Sequence, residues 1–207
     1  MQEPLLAFNQ NGIYCAKADV YLDPWRKVDK AIISHGHADH SRWGNKKYIT
    51  HHDNIPIMKH RLGEIDVMGK AYGESFTINN VKFSLHPAGH VIGSSQIRVE
   101  HQGEVWVFTG DYKDEDDGVC IPYDPVKCHT FITECTFGLP AFKWKPQAEV
   151  MSETMDCGKT IKLVDRTLSV FDYPLGKDNR ILNHPVPTIA AYLTVLYTHH
   201  ATPDTSP

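Results

Sequence analysis

The chain has 207 residues, of which 41% are hydrophobic and 22% are charged, a composition typical of a globular protein with one domain, or one domain and part of another. The net charge of -4 excludes overall basic attraction to nucleic acid, so such a partner would need a local basic groove. Five scattered cysteines without a CxxC pair, no leader sequence at the start and no apolar run long enough to span a bilayer predict a cytoplasmic protein with reduced thiols and no membrane association.

Residues up to about 137 have the pattern of short strands. The apolar run "VDKAIIS" ends where a histidine-rich loop begins, and "ESFTINNVKFSLHPAGH" alternates on both sides of Asn79 and Asn80, which predicts a β-hairpin. The segment "SSQIRVEHQGEVWVFTGD" predicts a second hairpin, and "CHTFITECTFG" predicts a further, buried strand. After Pro140 the pattern mixes helix and loop, with a strand at "LSVFDYP", a helix start at "LGKDNRIL" and a poorly ordered tail.

Each candidate polar residue follows the carboxyl end of a predicted strand. His35 follows "KAIIS", His90 follows "KFSLHPAG", Asp111 follows "VWVFTG" and Glu134 follows "TFIT". Because α/β proteins place their chemistry at the carboxyl ends of strands, this regularity predicts that the four residues share one edge of the fold.

The loop "SHGHADHSRWG" contains four potential metal ligands within six consecutive positions, namely His35, His37, Asp39 and His40. Imidazole and carboxylate groups are zinc ligands, and the small residues Gly36 and Ala38 let the loop wrap closely around an ion. A surface turn is the alternative for a single histidine, but three histidines and an aspartate at this spacing favour metal binding. The first two histidines can share one ion, and the last two residues can face a second.

Two later segments could complete such a site. "HPAGHVIGSS" offers His90 as a third ligand for the first ion, and "FTGDYK" offers Asp111, whose carboxylate could bridge both ions. Separately, His90 could be a strand-end cap and Asp111 a turn residue. Their occurrence together with the histidine loop favours a two-metal site.

The motifs "HGHADH", "GHVIGS" and "TGD" resemble those of the metallo-β-lactamase superfamily. The segments "TECTFGLPAFKWKP" and "YPLGKDNRIL" resemble its β-CASP nucleases, and among these the bacterial ligase-associated DNA exonucleases, from about residue 4 to about residue 183. The resemblance implies an α/β (α+β) fold, the αβ/βα sandwich, here incomplete. It further implies a lactamase-like domain at residues 1–140, the start of a β-CASP segment at 141–183 and a divergent tail at 184–207.

The resemblance also implies the roles of individual residues. One zinc ion would be held by His35, His37 and His90 and a second by Asp39 and His40, with Asp111 bridging them. Asp23 in "YLDPW" would support the ligand loop, Glu134 would orient a ligand histidine or help to move a proton, and Lys177 and Arg180 would bind phosphate at a helix start. The catalytic candidates are Asp39, Asp111 and Glu134.

For Asp23 the alternative is a plain strand-end aspartate, and for Glu134 a plain strand-end glutamate. For Lys177 and Arg180 the alternative is a solvated helix face. Trp25, Trp43 and Trp144 could stack on bases, with packing in the core or at its rim as the alternative. Full-length members of the family return to the lactamase-like domain after the β-CASP insertion and deliver a further histidine to the second zinc. Nothing after about residue 183 matches that return, so we expect a C-terminally truncated chain whose second zinc site lacks its last ligand.

The function implied is that of a zinc-dependent phosphodiesterase or exonuclease acting on DNA in repair, with an ATP-dependent DNA ligase and a helicase as partners. Two alternatives stay open. One is another hydrolase of the same fold, such as a thioester or lactone hydrolase. The other is a non-catalytic remnant that binds zinc or nucleic acid.

Overall fold

The computed structural model describes residues 3–135, 141 and 143–163, and these form two β-sheets with two α-helices and a short 3-10 turn. The strand predicted at "LSVFDYP", the helix predicted at "LGKDNRIL" and the predicted tail at 184–207 lie outside the described residues. The domain boundaries therefore stay predictions.

The first sheet has six strands in the order of the sequence: β1 (Ala7–Asn9), β2 (Gly12–Cys15), β3 (Val20–Leu22), β4 (Lys30–Ile32), β5 (Lys47–His51) and β6 (Val67–Lys70). Strands β1 to β3 are antiparallel, and β3 to β6 are parallel. Parallel neighbours need a crossover, and the 3-10 turn His52–Asn54 followed by α1 (Ile55–Leu62) supplies the one between β5 and β6.

The second sheet has the strand order β11, β10, β9, β8, β7. Its strands are β7 (Ser75–Ile78), β8 (Val81–Pro87), β9 (Ser95–His101), β10 (Glu104–Phe108) and β11 (Thr130–Ile132). Both predicted hairpins are present, since β7 pairs with β8 and β9 pairs with β10. Their two-residue turns need positive φ at both positions. The φ angles are 46° and 63° at Asn79 and Asn80, and 50° and 83° at Gln102 and Gly103.

The last strand of this sheet corrects one expectation. The segment "CHTFITECTFG" does form a strand, but only over Thr130–Ile132, and Phe131 is 44% exposed. The prediction of a buried strand was wrong, because among the described residues β11 is an edge strand that pairs with β10.

The two sheets pack face to face around one hydrophobic core. Leu22 and Ile32 of the first sheet lie in the same cluster as Phe83, Leu85 and Ile97 of the second, and all five are fully buried. Because side chains alternate along a strand, the neighbours of Ile32 point the other way and pack beside α1 in a second cluster. The expected α/β sandwich of two sheets is confirmed.

The topology brings the ends of four strands together. Strands β8 and β10 are both antiparallel to β9, and β10 is parallel to β11, so these three have their carboxyl ends at one edge. The amide of Ser95 donates to the carbonyl of Ser34 over 2.9 Å, which joins the end of β4 to the second sheet. The predicted shared edge is present, and two sheets rather than one contribute to it.

The part of the region after Pro140 that the structure describes is more helical than the sequence pattern suggested, since α2 runs without interruption over Gln147–Leu163. Neither α1 nor α2 combines the length and the hydropathy that a bilayer-spanning helix requires.

Candidate metal centre

Four side chains converge where the ends of the strands meet. They are His35, His37, His90 and Asp111, and one ligand atom of each lies within 4.8 Å of the others. The Nε2 atom of His35 is 2.9 Å from Nδ1 of His37, which is 3.2 Å from Nε2 of His90. The Oδ2 atom of Asp111 lies 3.7 Å from Nε2 of His35 and 3.4 Å from Nε2 of His90. We call these four residues the first cluster.

The spacing of these atoms fits a metal ion. Ligands about 2.0–2.1 Å from a tetrahedral zinc ion are about 3.3 Å apart, close to the four distances in the first cluster. His35 also presents the chemistry that an ion requires, since burial and the neighbouring histidines hold its pKa well below the ordinary value. A neutral imidazole has a lone pair for coordination.

A second cluster surrounds Nε2 of His40. This atom lies 3.5 Å from Oδ1 of Asp111, 3.6 Å from Oδ2 of Asp39 and 3.7 Å from Oε1 of Glu134. The two oxygens of Asp111 therefore face different clusters, as the carboxylate of a bridging ligand would. Glu134 adds a carboxylate to the pair of residues that the sequence assigned to this position.

The ionisation of the second cluster follows from its charges. Burial would lower the pKa of His40, but hydrogen bonds to Asp111 and Asp23 outweigh burial and raise it to about 11. Burial would raise the pKa of Asp111, but His40, His35 and His90 hold it well below its usual range. Burial, together with the charge of Asp111, raises the pKa of Glu134 to about 6, against the opposing influence of His40.

Asp23 supports both clusters from beneath. Its Oδ2 accepts a hydrogen bond from Nδ1 of His40 over 2.7 Å, and its Oδ1 accepts one from the amide of Ser34 over 2.7 Å. The Ser34 hydroxyl donates a hydrogen bond to Oδ2 of Asp23. Its oxygen lies 3.0 Å from Nδ1 of His35, so it can accept a hydrogen bond from the Nδ1–H group of that histidine. One buried carboxylate thus directs Nε2 of both histidines toward the clusters.

The backbone explains how Asp23 reaches this position. Its φ is 40°, in the left-handed region that aspartate tolerates better than most residues. Its amide donates to the carbonyl of Ile32 over 3.0 Å, which holds the turn after β3 against β4. Asp23 is 4% exposed, so its charge depends on these hydrogen bonds for compensation.

Three residues that support the ligand loops were not identified from the sequence. The Arg61 guanidinium, on α1, donates to the carbonyl of Gly36 and, over 2.6 Å, to the hydroxyl of Ser41. The hydroxyl of Ser94 accepts hydrogen bonds from the amides of His90 and Val91. Ser34 and Ser94 lie within the quoted motifs and could have been found there, whereas Arg61 has no local signal because it is 25 residues from Gly36.

The remaining sequence candidates are two basic residues and three tryptophans. Lys177 and Arg180 are outside the described residues, so their phosphate-binding role stays a prediction. Trp25, Trp43 and Trp144 are 49%, 63% and 72% exposed, so none of them is a core residue.

No protein-family model matches the chain, but curated relatives do. A probable DNA ligase of Opitutus terrae is 29% identical over 178 residues, which are 83% of this chain and 17% of that protein. An RNase J-like protein of Methanocaldococcus jannaschii is 28% identical over 140 residues, 56% of this chain and 33% of that protein. Endoribonuclease ysh1 of Emericella nidulans is 28% identical over 152 residues, 54% of this chain and 17% of that protein.

A metallo-β-lactamase with a HARLDQ motif from Cronobacter sakazakii, mutant S60, aligns with a TM-score of 0.39 at 14% identity, over 53% of this chain and 56% of that one. The chain spans between 17% and 33% of the length of the three curated relatives. The sequence similarity to a probable DNA ligase and to two nucleases supports the resemblance of the ligand motifs to the metallo-β-lactamase superfamily and its β-CASP nuclease branch.

Proposed function

We propose that the chain carries the metal centre of a zinc-dependent phosphodiesterase that hydrolyses DNA from an end. The observation that carries the proposal is the position of Asp111 between two clusters, with Oδ2 3.4 Å from Nε2 of His90 and Oδ1 3.5 Å from Nε2 of His40. A carboxylate shared between two groups of ligands is the arrangement that a two-metal hydrolase needs.

The first zinc ion would be held by the first cluster, and the second by Asp39, His40 and Asp111. When bound, two such ions would supply an activated water molecule and positive charge opposite the oxygens of a phosphodiester. Glu134 would complete the second cluster in place of the ligand that the sequence left missing. Its carboxyl, with a pKa of about 6, can also exchange a proton near neutral pH.

The choice of DNA rests on the relatives. The probable DNA ligase contains, within one polypeptide, a segment similar to this chain, which supports a DNA end as substrate and a DNA ligase as partner. A helicase partner and a role in DNA repair are part of the same proposal. The endoribonuclease ysh1 and the RNase J-like protein support RNA as the second candidate substrate. The reduced state proposed for the five cysteines supports a cytoplasmic location for this activity.

The test is hydrolysis of matched single-stranded DNA and RNA, each labelled at the 5′ or the 3′ end, by the zinc-loaded chain. We expect release of mononucleotides from DNA and loss of at least about 100-fold in rate with Asp111→Asn, since this change removes charge from both clusters. Asp66→Asn is the matched control, because Asp66 is an exposed aspartate just before β6.

Three results would contradict the proposal in different ways. Hydrolysis of RNA but not DNA would show that the substrate is RNA. Hydrolysis of thioesters or lactones but of neither nucleic acid would show that the reaction is not phosphodiester hydrolysis. A zinc-loaded chain that hydrolyses none of these substrates would be a non-catalytic metal-binding protein.

A further inference from the structure

A cavity of about 300 Å³ opens beside the second cluster. Its lining includes polar groups of the metal centre, namely Asp23, Asp39, His40 and Glu134. The lining also includes Arg42 and aromatic and apolar side chains, among them Phe8, Ile13, Trp25 and Phe108. The cavity therefore joins a candidate metal site to an aromatic surface.

Backbone contacts fix the position of Trp25. The amide of Trp25 donates to the carbonyl of Asn11 in the turn between β1 and β2 over 2.8 Å. Gly12 allows this approach, since a Cβ there would lie 3.2 Å from Cα of Pro24 and 3.3 Å from the amide nitrogen of Trp25. The turn between β1 and β2 is thus fixed against Trp25.

Two of these rings leave large apolar surfaces in contact with solvent. Trp25 is 49% exposed and Phe8 is 63% exposed, although both adjoin a cavity that leads to polar ligands. Exposed aromatic surface at the mouth of such a cavity is typical of a binding site for a flat ligand.

Arg42 contributes positive charge to the same lining. It is exposed, and its Nε donates to the carbonyl of Asp39 over 3.4 Å, so the guanidinium stays beside the histidine loop. A ligand that matches this cavity has a flat aromatic part for Trp25 and Phe8 and an anionic part for Arg42 and the metal centre. A nucleotide has both parts.

We propose that Trp25, Phe8 and Arg42 form a subsite that stacks one nucleobase of a single strand beside the metal centre. The proposal rests on the function proposed above and specifies how the substrate would be held. A cavity of about 300 Å³ has room for one nucleotide unit, and a base can stack on Trp25 only when it is unpaired from the opposite strand. Because every base has an aromatic face, stacking here is tolerant of sequence.

The test measures binding without turnover. The probe is a fluorescein-labelled strand of ten thymidines with phosphorothioate linkages, which resist hydrolysis, and its partner probe is an abasic strand of the same length and charge. We expect Trp25→Ala to weaken binding of the thymidine strand by roughly 5- to 100-fold, as loss of one stacked base predicts, and to leave binding of the abasic strand within about twofold. Trp25→Phe should restore most of the affinity.

Trp43→Ala and Trp144→Ala are the matched controls. Both rings are more exposed than that of Trp25, and neither lines the cavity, so neither change should alter binding by more than about twofold. An equal loss of affinity for both strands, no loss for either, or an equal effect of a control variant would overturn the subsite. An unchanged affinity is also the result expected if another part of the chain fills the cavity.

The outcome is separable from the fate of the proposed function. Both measurements use the zinc-loaded chain: binding of a strand that resists hydrolysis does not require turnover, whereas hydrolysis of bis(p-nitrophenyl) phosphate reports directly on the catalytic activity of the centre. If that hydrolysis fails but the preference for bases depends on Trp25, the subsite is supported and the proposed enzymatic function is contradicted. If hydrolysis succeeds but the preference for bases does not depend on Trp25, the subsite is contradicted and the proposed function is supported.

Discussion

Replacing Asp23 by asparagine should weaken metal binding at both clusters, although Asp23 itself belongs to neither. The substitution keeps the size of the side chain and converts Oδ2, which accepts hydrogen bonds from His40 and Ser34, into an amide group that donates. His40 must then present the lone pair of Nδ1 to this amide, which moves its proton to Nε2. A protonated Nε2 cannot bind an ion.

The magnitude follows from the contacts. The amide oxygen can still accept from the backbone of Ser34, so two charge-assisted hydrogen bonds are lost, and part of this loss is recovered when the hydroxyl of Ser34 turns to accept. We expect the free energy of unfolding of the metal-free protein to fall by about 2–4 kcal/mol. Zinc affinity should fall by about 10- to 100-fold, the usual cost of losing a residue that orients a ligand histidine.

Two assays on the same samples check both numbers. Competition with a chromophoric chelator gives the zinc affinity, and urea unfolding of the metal-free chain gives the stability. Asp66→Asn again serves as the control and should change neither. Zinc affinity unchanged by Asp23→Asn at both clusters would refute the account of how His35 and His40 are oriented.

Three further predictions concern the loops and the protons of the site. Arg61→Ala should lower the free energy of unfolding by about 1–2 kcal/mol, because it removes the side chain that donates to the carbonyl of Gly36 inside the ligand loop. Urea unfolding measures this, with Lys59→Ala as the control, because Lys59 is exposed like Arg61 and lies on the same helix. Gly93→Ala should weaken folding and zinc binding together, since a Cβ there would lie 2.7 Å from the amide nitrogen of Asn54 at a φ of 76°; an unchanged melting temperature would contradict this packing. Zinc binding at pH 7.5 should release about one proton from His40, whose pKa of about 11 keeps it protonated, and none from His35, whose pKa is lowered. Zinc affinity at the second cluster should therefore rise about tenfold per pH unit, while zinc affinity at the first cluster should change less. Calorimetry in two buffers of different ionisation enthalpy counts these protons, and equal release at both clusters would be inconsistent with the charges described.

The parts of the fold that local chemistry determines could be predicted from the sequence. The two hairpins followed from residues that tolerate positive φ, at Asn79 and Asn80 and at the turn that ends in Gly103. The convergence of strand ends followed from polar residues placed just after apolar runs. That two sheets share this edge could not be predicted, because the pairing of strands depends on contacts between distant segments.

The site itself shows the same division. The first cluster draws on residues that the motifs identify, because short loops carry their ligands in sequence. The support given by Arg61 could not be predicted, since it depends on how α1 packs against the first sheet. The burial of the strand at Phe131 was predicted wrongly because the apolar pattern does not distinguish an edge strand from a central one.

The central claim is that Asp111 joins two metal sites, and metal content per chain tests it most directly. Elemental analysis of protein purified without chelators or added histidine tags should give about two zinc ions per chain. His90→Ala and His40→Ala should each remove about one ion, from different clusters. A wild-type value near one, or a value that both substitutions leave unchanged, would contradict the shared two-metal centre.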